Sequence, residues 1–175
     1  MPEGTIFVTG ANGGIGSAIV SRILISPALT SYYGVYSVRN SSSTILKLPQ
    51  TNTLRHPYET LSLELSNLAS VREAAAKVNV RVAAGEIPPI CALILNAGYL
   101  EFDKQRFTDD GFATTFVANY LGHWLLVLLL LKSVDRETGR IVVLGSKAHE
   151  LVPKQNSSMT SLRPFYEHDK ENILT

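Results

Sequence analysis

Gly10, Gly14 and Gly16 follow Thr9 near the start of the chain and are interleaved with Asn12, Gly13 and Ile15. Ahead of them runs Thr5-Ile6-Phe7-Val8, and behind them Ile15 to Leu24 carries apolar residues at helical spacing. A strand that enters a glycine turn and leaves as a helix is the form of a dinucleotide site. The turn must be tight, its backbone must approach a pyrophosphate, and the helix must pack close to the strand. A residue without a Cβ permits all three. The unsatisfied N–H groups and positive dipole end of the helix then hold phosphate oxygens. A second chemical signal follows the strand-like run Tyr32 to Val38, where Arg39 stands with no Asp or Glu nearby. An acid at that place binds the ribose 2′-hydroxyl of NAD, whereas an arginine suits the 2′-phosphate of NADP. These residues favour NADP(H), with NAD(H) as the alternative.

The elements that would position these groups are legible along most of the chain. The glycine helix stops near Ser26-Pro27. Ser41 to Pro57 is polar, holds Pro49 and Pro57, and has no sustained period, so a short irregular helix between loops is expected. Glu59 to Leu65 alternates as a strand does, and Ser66-Asn67 can cap a helix from Leu68 to Ala84. After a break at Gly85 to Pro89, Ile90 to Leu95 is a continuous apolar run, as in a parallel strand covered on both faces. Thr108-Asp109-Asp110-Gly111 is expected to open the next helix, with Phe112, Phe116, Tyr120 and Val127 as its buried stripe. Asn119 falls inside that helix, where asparagine is unfavourable and needs a reason. His123, one turn on, reads as a packed, hydrogen-bonded histidine. Trp124 to Leu131 is apolar on every side, which implies burial in a core or at a subunit contact. Arg140 to Leu144 reads as a fifth buried strand leading into Gly145-Ser146.

Composition narrows the functional classes. The chain has 175 residues, 45% of them apolar and 18% charged, which suits one globular domain with a real core. A formal net charge of +1 supplies no basic field for nucleic acid. The apolar block at Trp124 to Leu131 is far short of the roughly 20 residues a membrane span requires, and no metal site is expected. Cys91 is the one cysteine, so no internal disulfide forms, which suits a reducing, cytoplasmic setting. The first residues lack the basic-then-apolar order of a signal peptide.

The spacing of Thr9, Gly10, Gly14 and Gly16 resembles the T-G-x-x-x-G-x-G turn of the short-chain dehydrogenase/reductase family. Asn96-Ala97-Gly98, Asn119 in Asn119-Tyr120-Leu121-Gly122-His123, and Ser146 match further family positions in the correct order. The closest likeness is to the retinol dehydrogenase-like branch. The resemblance implies an α/β, Rossmann-type doubly wound parallel sheet of strand order 3-2-1-4-5. It places Thr9, Gly10, Asn12, Gly13, Gly14, Ile15 and Gly16 at the cofactor, together with Arg39. It puts Glu64 and Leu65 against the adenine, where the family usually has an aspartate first. Asn96, Ala97 and Gly98 correspond to the N-A-G of the family's N-N-A-G, which steadies the central strand beside the cofactor. By the same resemblance Asn119 holds water in a proton relay and Ser146 orients the substrate carbonyl. The family's acid is the tyrosine of Y-x-x-x-K. Tyr166-Glu167-His168-Asp169-Lys170 has that spacing, but its charged interior, Pro164 upstream and the five residues after Lys170 depart from the family's long apolar helix.

The implied activity is NADP-dependent hydride transfer between the nicotinamide and a small-molecule carbonyl or alcohol. The alternative is a nucleotide-binding fragment or pseudoenzyme that holds NADP(H) without catalysis. The resemblance covers residues 1–150 as an NAD(P)-binding domain and leaves 151–175 as a polar C-terminal segment, an insertion or loop. The last strands of the family fold are missing from this pattern, so a truncated domain is expected, with Arg140 to Leu144 as an open apolar edge. The family often associates through the helix that holds Trp124 to Leu131, so a complete chain is expected as a homodimer or homotetramer.

Overall fold

A computed structural model describes residues 2–39, 56–101 and 104–146. Five strands form one parallel sheet: β1 (Thr5–Val8), β2 (Tyr33–Val38), β3 (Tyr58–Ser62), β4 (Ile90–Leu95) and β5 (Arg140–Val143), in the order β3-β2-β1-β4-β5. The order reverses at β1, so the loops leaving β1 and β4 diverge and open a crevice at the carboxyl ends of the strands. Three helices cover the sheet: α1 (Gly14–Leu24), α2 (Leu68–Ala83) and α3 (Thr114–Ser133).

The period-two alternation of the central strands divides the core into two layers. Ile6 and Val8 of β1, with Tyr36 and Val38 of β2, face α1 through Val20, Ile23 and Leu24. Phe7, Val35 and Leu93 face the other way, against Val71, Ala75 and Val78 of α2 and Leu126 and Leu130 of α3. Burying each of these large side chains contributes about 1.5–3 kcal/mol. Polar ties fix the second layer as well: Asn79 of α2 donates to the Leu129 carbonyl, and the Ser133 hydroxyl donates to Asn79 Oδ1.

The sequence reading holds for β1, β2, β4 and α2, whose cap is Asn67, accepting from the N–H groups of Ala69 (2.9 Å) and Ser70 (3.0 Å). Strand β3 ends three residues earlier than the alternation suggests. Leu63 still donates to the Val38 carbonyl, but the Asn67 N–H turns back onto Glu64 O and draws the chain off the sheet. Leu63 and Leu65 stay buried, which is why the alternation runs past the strand.

Helix α3 departs most from expectation. Thr108 to Gly111 closes a turn instead of opening the helix, with the Gly111 N–H on Thr108 O at 2.8 Å, and Asp109 and Asp110 stay exposed. The helix begins as α at Thr114–Phe116, widens to π over Val117–Leu121, returns to α over Gly122–Leu130 and tightens over Leu131–Ser133. A π turn adds a residue to the repeat, so the buried stripe is rotated. It runs through Val117, Gly122, His123, Leu126 and Leu130, while Phe116 and Tyr120 stack on each other and Tyr120 is exposed. Trp124 and Leu128 are about half exposed, so this helix is apolar all round but buried on one side. It is long and apolar enough to cross a bilayer by length and composition, and it packs on α2 within this fold. Strand β5 forms as expected but is not buried: it is exposed along its length, with Val143 69% exposed, because it lies at the end of the sheet and pairs on one side only, with β4. The expected irregular helix within Ser41 to Pro57 falls mainly on residues 40–55, outside the described residues.

Gly122 lies where α3 crosses the chain leaving β3, and a Cβ there would stand 2.2 Å from the Leu65 carbonyl oxygen. Both sides of that contact are backbone, so neither can swing away. Gly122→Ala is expected to cost about 1–3 kcal/mol, read as a lower urea midpoint with an unchanged slope.

Candidate functional site

The site is built on the exit of β1. Thr9 is fully buried, and its Oγ1 accepts the N–H groups of Asn96 (2.9 Å) and Ala97 (3.0 Å). The Asn96 amide answers by donating to the carbonyls of Thr9 (2.9 Å) and Gly10 (3.2 Å). The turns after β1 and β4 are thereby joined into one piece. Two glycines are required by that junction. Gly10 has φ +66°, and a Cβ would lie 2.9 Å from Ala97 Cα; at Gly16 it would lie 2.0 Å from the Gly10 carbonyl oxygen. A Cβ at Gly14, by contrast, would meet nothing within 4 Å. Gly14 begins α1, whose N-terminus has no side-chain cap and no acid in its first turn. Uncapped N–H groups beside open space make a cradle fitted to an anion.

The cradle opens into a cleft of about 690 Å³ over the carboxyl ends of β1 to β4. Every residue expected at the cofactor lines it except Thr9, which lies beneath the floor as a fastener. The glycine turn, with Asn12 and Ile15, forms one wall; Arg39, Glu64 and Leu65 form the second; Asn96, Ala97 and Gly98 form the third. These residues fit a dinucleotide: a phosphate cradle in the middle and a guanidinium at the end where an adenosine ribose would lie. Ser37, Leu63, Tyr99 and Ala118 also line the cleft and were missed by sequence reasoning. The signal available for Tyr99 was its place directly after Asn96-Ala97-Gly98; for Ser37 it was a small polar residue in a buried strand.

Arg39 is held on two sides. Its Nε lies 3.0 Å from Glu64 Oε2, and its guanidinium sits over the Tyr99 ring, 5.8 Å from the centroid. Tyr99 is itself fixed through its backbone: its N–H donates to Asn119 Oδ1 and its carbonyl accepts from Asn119 Nδ2, both at 2.7 Å. This is a reason for an asparagine inside a helix. Asn119 does not line the cleft; its side chain anchors the turn that does. Ser146, three residues beyond β5, is exposed and also lies outside the cleft lining. Tyr166 and Lys170 lie outside the described residues. Among the described residues no group of three or more His, Cys, Asp or Glu could hold a metal ion.

His123 links these parts, as a packed histidine should. Its Nε2 is 3.1 Å from Thr9 Oγ1, and its Nδ1 is 3.4 Å from the Asn119 carbonyl oxygen. The Thr9 oxygen already accepts two N–H groups, so its proton is shared between Nε2 and the more distant Ile94 carbonyl oxygen at 3.5 Å, an arrangement that suits an imidazole protonated on Nδ1. Burial pushes the His123 pKa below its ordinary value, keeping the ring neutral. The unfolded chain then binds the extra proton first. The contribution of His123 to stability is therefore complete above about pH 6.5 and declines as pH falls below it. Urea midpoints between pH 7.5 and 5.5 should fall in the natural protein and fall less steeply in His123→Asn.

Comparison with known proteins follows the same lines. The family model described as short chain dehydrogenase matches residues 4–160. The chain is 51% identical over 165 residues to the short-chain dehydrogenase iccH of Talaromyces variabilis, covering 91% of this chain and 45% of that protein. It is 34% identical over 152 residues to human retinol dehydrogenase 13, covering 85% and 43% respectively. The chain thus spans less than half the length of these curated relatives. Among solved structures, a dehydrogenase/reductase from Sinorhizobium meliloti superposes with a TM-score of 0.64 at 20% identity, over 87% of this chain and 57% of that one. A blue fluorescent protein from a metagenomic library, in complex with NADPH, superposes with a TM-score of 0.63 at 23% identity, over 85% and 58%.

Proposed function

Starting from a chain that belongs to the short-chain dehydrogenase family, we propose that it is an NADP-dependent oxidoreductase acting on a small-molecule carbonyl or alcohol. The observation that carries this reading is the open, uncapped cradle at Gly14 aligned with Arg39 across one cleft. When bound, the nicotinamide supplies or takes up the hydride. The N–H groups at the start of α1 hold the pyrophosphate, and Arg39 takes the 2′-phosphate. Asn96, Ala97 and Gly98 form the wall that keeps the cofactor over β4. Ser146 positions the substrate oxygen by hydrogen bond, and Asn119, through Tyr99 and the π turn, keeps the adjoining backbone in place. NAD(H) is the weaker cofactor, since its 2′-hydroxyl gains less from a guanidinium than a phosphate does. A cytoplasmic setting suits the lone Cys91, and the half-exposed Trp124 and Leu128 offer a face for a homodimer or homotetramer.

A second reading has an observation of its own. Ser146 is exposed outside the cleft lining. That arrangement favours a chain that binds NADP(H) without turnover. The two readings separate in one cuvette, with NADPH fluorescence reporting binding and absorbance reporting turnover against a carbonyl panel. Turnover lost in Tyr166→Phe supports the enzyme; binding without turnover supports the second reading.

The cradle is tested by Gly14→Ala. A methyl group there meets no protein atom, so stability should hold or rise by up to about 1 kcal/mol. It enters the space assigned to the pyrophosphate, and NADPH affinity should fall by at least about tenfold. Unchanged affinity would contradict the assignment.

A further inference from the structure

We propose that Glu64 sets the cofactor preference by competing with the cofactor's 2′-phosphate for Arg39. This rests on reading the cleft as an NADP(H) site, and goes beyond it by assigning the acid on the second wall a role opposed to that of the arginine. The geometry is specific. One carboxylate oxygen, Oε2, lies 3.0 Å from Arg39 Nε. The other, Oε1, accepts the Ser66 N–H at 3.1 Å and the Ser66 hydroxyl at 2.8 Å. The Glu64 N–H is held in turn by Ser70 Oγ at 3.0 Å. Ser66 and Ser70, at the entry to α2, thus aim the carboxylate at the guanidinium. Both ends of the ion pair line the cleft.

The consequence for a ligand follows from charge. A phosphomonoester carries about −1.5 to −2 at neutral pH. To reach Arg39 it must share the guanidinium with Glu64 and lie close to that carboxylate. A ribose 2′-hydroxyl has no charge to be repelled and does not need Arg39 to be free. The carboxylate therefore lowers NADP(H) affinity relative to NAD(H) affinity, and it narrows the preference that Arg39 alone would create. Displacement is feasible because the pair also borders a small recess of about 140 Å³ lined by Ser66 and Arg106. Arg106 is a second basic residue on the lining of that recess, so a carboxylate that gives up Arg39 stays within a basic-lined recess.

The test is a fluorescence titration of NADPH and NADH into the natural chain, Glu64→Gln and Ser66→Ala at one fixed ionic strength. Glutamine keeps the shape and the Ser66 contact but removes the charge. Glu64→Gln should raise the ratio of NADPH to NADH affinity roughly three- to fivefold, the worth of a partly exposed charge pair, because any change at the adenine is common to both cofactors and cancels in the ratio. Ser66→Ala, which frees the carboxylate to swing away, should move the ratio in the same direction by less. An unchanged ratio in Glu64→Gln overturns the proposal. So does weakened NADH binding, which would mean that Glu64 grips the ribose hydroxyl instead. Failure of every variant to bind either cofactor overturns the reading of the cleft itself, and this inference with it.

Discussion

The Thr9 hydroxyl is the constraint on which the rest of the site depends. It accepts two backbone N–H groups from the turn after β4 and lies against a buried imidazole and the Ile94 carbonyl oxygen. A buried hydroxyl with its donor and acceptor capacity filled is costly to disturb, because every partner would be left unsatisfied away from water. Through it the exits of β1 and β4, the strands flanking the topological switch, are tied to each other by hydrogen bonds. The Asn96 amide closes the junction from the opposite side, and Gly16 lets α1 come down onto it. A cleft with such a floor is preformed, so a ligand entering it does not have to order the backbone it binds.

From that junction the order extends outward through His123 to α3. The imidazole touches both the Thr9 hydroxyl and the Asn119 carbonyl, and Asn119 in turn fixes Tyr99, on whose ring Arg39 rests. The π turn across Val117–Leu121 is what brings Asn119 and His123 onto their respective partners. A regular helix would rotate one of them away, which gives the local departure from α geometry a structural reason. The phosphate cradle and the guanidinium wall are therefore linked through side chains, although they belong to different walls of the cleft.

Much of the fold was legible because its signals are local. Four glycine-turn and strand features, from Thr5 to Leu24 and from Ile90 to Gly98, depend on steric demands that few other residues meet. Asn67 announced the start of α2 by chemistry that acts within three residues. What escaped the sequence depended on contacts between distant segments. The alternation through Leu63 and Leu65 reflects burial under α2 and α3 rather than strand pairing, so β3 read too long. The phase of α3 was misread because the stripe of Phe112, Phe116, Tyr120 and Val127 assumes a constant pitch, and the π turn breaks it. The partners of Asn119 and the Glu64–Arg39 pair lie across the sheet order, and no spacing along the chain encodes them.

The central claim is that the N-terminus of α1 and the turn after β4 form one preformed cofactor cradle. Amide hydrogen exchange on the 175-residue chain, with and without saturating NADPH, addresses it most directly. The account predicts added protection at residues 13–17 and 96–99, with the N-terminal turn of α1 affected most and α2 unchanged. Protection absent from those amides, or confined to a segment away from the cleft, would contradict it.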